Sequence, residues 1–149
     1  MTQLVLLLHV LGACVWTGGH LVLALAILPR ALSTGDGGPL HAFDDRFEKL
    51  AVPALLVQIV TGPALAWFAR PDPASWLGFS DALSTHVTLK LLLLLATLGL
   101  AVDARVRLPR RVLSAQARLR SLAAHVIAVT LLAVALVAVG VSAHVGSPA

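Results

Sequence analysis

Polar positions in this chain gather into a few short clusters, separated by long apolar stretches. Met1 to Pro29 contains no Asp, Glu, Lys or Arg. Leu50 to Ala69 and Ser121 to Ala149 contain none either, and Ala82 to Val102 has only Lys90. Each stretch reaches the roughly 20 residues that cross a ~30 Å hydrocarbon core. The stretches lack strand-like alternation, and a backbone in lipid must satisfy its own polar groups, so they predict helices and not barrel strands. The first is too long for a signal-peptide core and has no basic residue before it, which makes it a helix as well. The expected fold is all-α: an integral membrane four-helix bundle in one domain, 1–149, with helices over about 3–30, 47–69, 82–104 and 120–144.

The connections carry breakers. Ser33 to Pro39 predicts a flexible turn, and Leu40 to Lys49 a short interfacial helix with Phe43 and Phe47 on one side. Pro71 and Pro73 end the second helix because proline donates nothing to the ladder, and Pro53 and Pro63 are expected to kink it. Trp67 and Trp76 fit an interfacial aromatic belt. Gln58 and Thr61 are expected to hydrogen-bond between helices. Asp44, Asp45 and Glu48 beside Arg46 and Lys49 read as a solvated face.

Charge adds an orientation. The third connection carries Arg105, Arg107, Arg110, Arg111, Arg118 and Arg120, and the first carries Arg30, Arg46 and Lys49. Nine of the eleven basic residues therefore share one face, which the positive-inside rule places in the cytoplasm. Both termini and the Asp72–Asp81 loop are then expected on the outer, periplasmic side of a bacterial inner membrane. Composition closes off other classes. At 58% hydrophobic and 12% charged residues the chain has about half the charge of a soluble domain, and it is too apolar to be disordered. Cys14 is the only cysteine, so no intrachain disulfide exists. A pI near 10.7 invites nucleic acid, but the arginines flank membrane helices without interleaved aromatics, so no nucleic-acid partner is expected. The bilayer itself is the expected partner. GxSxG, P-loop, HExxH and CxxC patterns are all missing.

The six histidines are the candidate chemistry, because polar groups within a bilayer are costly and usually functional. His9 and His20 are eleven residues apart, three turns plus about 20°, so they share one stripe about 16 Å long. Gly12, Trp16 and Gly19 occupy that stripe, and its glycines would let a planar group or another helix approach closely. The orientation places His20 and His125 at similar inner depth on different helices. His9, His86, Lys90 and His144 fall towards the outer side. Metal-ligand candidates are therefore His20, His125, His9, His86 and His144. Gly12, Gly19, Trp16 and Arg30 are candidate cofactor contacts, the last for a haem propionate, and Lys90 is a candidate functional amine. Imidazole suits haem iron, copper and zinc alike. Scarce sulfur ligands and the glycine stripe favour b-type haem, one or two groups, over copper.

Several segments resemble copper resistance protein D (CopD) family members. These are Leu8-His9-Val10-Leu11-Gly12, Val15-Trp16-Thr17-Gly18-Gly19-His20-Leu21, Leu28-Pro29-Arg30, Arg46-Phe47-Glu48 leading into Pro53 to Gly62, His86 through Lys90-Leu91, and His125 with Gly140-Val141. The short members resemble HemJ-type protoporphyrinogen oxidases in architecture. That resemblance implies haem binding and roles for a first-helix histidine and a third-helix lysine, matching His9 and Lys90. The CopD name implies copper handling at the inner membrane. Three readings follow: a haem protein passing electrons across the membrane, a copper-binding or copper-transporting protein, and a porphyrinogen oxidase. A quinone, a periplasmic redox or copper partner and a homodimer are the further expected associations.

Overall fold

The computed structural model describes residues 1–106 and 114–145, with the side chains of 104, 105, 115 and 143–145 outside that description. Four long helices account for most of it. α1 runs Thr2–Thr34, α2 Gly38–Ala69, α3 Ala82–Val106 and α4 Ala115–Val145, and each contains a segment long and apolar enough to cross a membrane. No strand occurs among the described residues. The all-helical four-span architecture expected from the apolar runs is the one observed.

Two boundaries differ from expectation for local reasons. Leu40 to Lys49 is not a separate interfacial helix, because α2 runs unbroken from Gly38 and nothing near Leu50 interrupts the ladder. Phe43 and Phe47 do share a side, with ring centroids 5.8 Å apart. Its 32 residues span about 48 Å, so α2 is longer than a ~30 Å core. The first connection is also tighter than a long flexible turn. α1 continues to Thr34, and Gly35 then takes φ +71°, a left-handed conformation that glycine adopts without strain. Ser33 and Thr34 hydroxyls donate to the Arg30 carbonyl, and Asp36 Oδ1 accepts the Gly38 N–H at 2.8 Å.

Within α1, Leu23–Ile27 forms a wide turn in which the Leu28 N–H bonds to the Leu23 carbonyl, five residues back. Pro29 explains its place. In a regular helix its ring would crowd the carbonyl of Leu25, four residues earlier, and a local π-type turn relieves that.

α2 packs along α1, α1 also packs on α4, and α4 packs on α3. α2 and α3 make few contacts with each other among the described residues. The buried core is formed by Trp16, Leu23, Leu28, Phe47, Ala51, Ala123, Val126, Val129 and neighbours, so it joins α1, α2 and α4 at the end bearing Arg118 and Arg120. Leucines and valines such as Leu4, Leu25, Leu56, Val60, Leu95 and Leu131 point outward, as they should where the solvent is lipid. Buried hydroxyls are satisfied within their own helices: Thr61 donates to Val57, Thr97 to Leu93 and Thr130 to Val126.

Arg107, Arg110 and Arg111 lie outside the described residues, as do the side chains of Arg105 and His144.

Candidate functional site

The histidines acquire fixed orientations from simple hydrogen-bond bookkeeping. His9 Nδ1 lies 2.7 Å from Thr61 Oγ1. The single hydroxyl hydrogen of Thr61 goes to the Val57 carbonyl at 2.5 Å, so His9 must be the donor. His20 Nδ1 is 2.8 Å from the Trp16 carbonyl and His86 Nδ1 is 2.5 Å from the Ala82 carbonyl, and a carbonyl can only accept. Each ring therefore carries a hydrogen on Nδ1, and a neutral ring keeps its lone pair on Nε2. Metal-binding imidazoles are commonly held in this way, with the second nitrogen anchored to a backbone or side-chain acceptor.

At one end of the bundle, His20 sits between two aromatic rings. Trp16 lies at 4.6 Å between centroids, and Phe47 of α2 meets it edge-on at 5.2 Å. The Thr130 hydroxyl of α4, bonded to Val126 at 2.7 Å, also lies 3.2 Å from the His20 carbonyl, so α1 and α4 pack closely at that level. His125 is within electrostatic reach of His20, and Asp44 within reach of both. His20 and His125 are thus linked electrostatically, and Asp44, exposed as expected of a solvated face, acts on both. The indole Nε1–H of Trp16 is the one buried side-chain polar atom without a partner among the described residues. An orphan donor at this level suits a bound acceptor.

The other polar layer draws on all four helices. His9 of α1 bonds Thr61 of α2, and Gln58 Nε2 donates to the His9 carbonyl. The interhelical roles expected of Gln58 and Thr61 are those observed. Lys90 of α3 is within electrostatic reach of His9. Its Nζ lies beside Gly140 of α4, where an added Cβ would be 3.5 Å away. His86 turns to α4, with Nε2 3.3 Å from Ser142 Oγ.

The glycine stripe has a definite occupant. A Cβ on Gly12 would press on the Gln58 amide and lie 3.2 Å from the Ala54 carbonyl, and one on Gly19 would fall within the Phe47 ring. Of the two partners the stripe could admit, α2 fills it at both glycines. Arg30 and Cys14 are exposed. Among the described residues no group of three or more His, Cys, Asp or Glu is arranged to hold a metal ion, so the inner neighbourhood offers imidazoles in twos.

Thr130, Phe47, Asp44 and Ser142 are the site-lining residues that sequence reasoning missed. Phe47 had a signal, since Leu40, Phe43 and Phe47 repeat at helical spacing into Ala51 and Ala54. With Phe47 inward, Asp44 one turn earlier is carried towards His20.

A chain of four apolar spanning helices enclosing histidines at two levels defines a multi-pass membrane protein with a polar interior. The family model described as copper resistance protein D matches residues 41–143. The chain belongs to the CopD family. No curated protein and no solved structure gives a significant match to it.

Proposed function

We propose that this protein handles copper ions within the membrane, and that His20 and His125 together form one binding station in the half of the bundle bearing Arg118. The observation that carries the proposal is the anchoring of His20. Its Nδ1–H is committed to Trp16, its Nε2 lone pair is left for an ion, and His125 and Asp44 lie within electrostatic reach. Family membership supplies the choice of metal. Imidazole nitrogen with nearby carboxylate oxygen is a donor set that suits copper(II), whereas the exposed Cys14 and the lone Met1 offer little to copper(I). Few ligands per station also suit an ion that has to leave again, since passage requires binding that is not too tight.

A b-type haem, favoured on scarce sulfur ligands and the glycine stripe, loses the second of these arguments because Gln58 and Phe47 fill the stripe. A porphyrinogen-oxidising reading keeps one observation in its favour, the approach of Lys90 to His9 across two helices.

The test is copper content by elemental analysis of protein purified in detergent. His20→Ala and His125→Ala are each expected to weaken copper retention at least about 10-fold, with the double variant no worse than the weaker single. Full copper retention in either single variant would overturn the shared station. An intense Soret band in the purified protein would transfer the pair to haem.

A further inference from the structure

Away from both histidine layers, a cavity of about 450 Å³ opens where the α1–α2 connection meets the start of α4. Its walls come from Gly37, Gly38, His41, Arg118, Leu119 and Leu122. Gly37 runs between two of them, since a Cβ there would be 3.7 Å from Leu119 Cδ1 and 3.9 Å from His41 Cδ2. The lining is therefore two-natured. Arg118 and His41 supply N–H donors, and the leucines supply an apolar wall, Leu119 being only 5% exposed.

Charge in the cavity is left over. Among the described residues the one ion pair is Arg70–Asp81, in the connection between α2 and α3, so Arg118 has no carboxylate partner there. Asp36, the acid of the α1–α2 connection, is turned to the Gly38 amide. Asp44 is within electrostatic reach of His41 but is shared with His20 and Glu48. Two segments long and apolar enough to cross a membrane, Gly38–Ala69 and Gln116–Ser142, both begin at the cavity.

We propose that this cavity binds a phosphate anion, carried by the headgroup of an anionic phospholipid. The planar guanidinium of Arg118 matches two phosphate oxygens at once, and His41 supplies a further donor. Basic pockets between spanning helices are suited to lipid headgroups. The choice of a lipid over a free phosphate rests on Leu119 and Leu122, which give the first methylenes of an acyl chain an apolar wall that a soluble anion would not use.

The full-length protein, delipidated in detergent, is presented with phosphatidylglycerol, phosphatidylcholine or inorganic phosphate, and retained ligand is read by native mass spectrometry. Phosphatidylglycerol is expected to be held about 10-fold or more over phosphatidylcholine, with Arg118→Gln and His41→Gln each removing most of that preference. Arg46→Gln, at the same end but outside the cavity, should keep it, which separates a site from general attraction to basic residues. Competition by inorganic phosphate supports the anion site. Inorganic phosphate held as tightly as the lipid would overturn the lipid as its occupant. Equal retention of phosphatidylcholine, or a loss in Arg46→Gln matching that in Arg118→Gln, would overturn the site. Melting of the two cavity variants at the wild-type temperature establishes that they are folded.

Discussion

A methyl group added at Gly19 would fall within the Phe47 ring, whereas one added at the neighbouring Gly18 meets nothing within 4 Å. The two positions therefore respond to alanine in opposite ways. Gly18→Ala gains helix propensity and should stabilise the protein by up to about 1 kcal/mol. Gly19→Ala must push aside a core aromatic and should destabilise it by about 1–3 kcal/mol. Thermal unfolding in one detergent checks both, and a Gly19→Ala protein as stable as Gly18→Ala would contradict the close packing of α1 on α2. This contrast also marks where the sequence stops being legible. The helical stripe holding His9, Gly12, Trp16, Gly19 and His20 follows from a 100° step per residue, and so does the tolerance of its glycines for a close neighbour. Which neighbour fills it depends on the packing partner, and only the register of α2 decides for Phe47. The approach of Asp44 was hidden for the same reason. Asp44 and Asp45 beside Arg46 and Lys49 are exposed, as a solvated face should be, and only the register of α2 brings Asp44 within electrostatic reach of His20.

At the scale of elements, the connection between α2 and α3 is held by a small set of polar bonds. Arg70 Nη1 lies 3.0 Å from Asp81 Oδ2, the Trp76 indole donates to the Arg70 carbonyl at 2.9 Å, and Thr88 Oγ1 reaches the Gly78 carbonyl at 3.1 Å. Asp81 also accepts the Ser84 amide at the start of α3. The Arg70 hydrogen bond, followed by that amide, holds the Asp81 carboxyl down from the usual 3.8 to about 2. A depressed carboxylate pKa stabilises the fold above its unfolded value, and that contribution is lost as pH falls through the folded value. The loop should therefore keep its structure at pH 4 and lose it between about pH 4 and pH 2. Trp76 fluorescence in a Trp16→Phe, Trp67→Phe background reads this directly. Asp81→Asn should abolish the transition, and an unchanged transition in that variant would assign it to another group. The prolines around Asp72 made the loop legible, but the pairing of Arg70 with Asp81 across eleven positions was not.

At the scale of the whole molecule, the four spans and the crowding of nine basic residues on two connections predict a single orientation. A C-terminal alkaline phosphatase fusion should be active and a C-terminal fluorescent protein dark, because both termini are expected outside the cytoplasm. A bright fluorescent fusion would invert the bundle and, with it, the side of the membrane on which the His20 level lies. The number of helices and their order were readable because apolar length alone sets them. The spatial arrangement was not, since Leu- and Ala-rich faces give little to choose one neighbour over another. That arrangement sets an order of events during synthesis. α1 and α2 are consecutive, and the His9–Thr61 bond between them needs only the first part of the chain. The His20 level is closed by Thr130 and His125 from α4, which follow Thr61 by about 65 residues. At about 5–20 residues per second the ribosome takes about 3–13 s to supply them. For that interval the nascent protein has one polar layer partly assembled and the other open on its α4 side, so the His20 level is the one that newly made chains complete late.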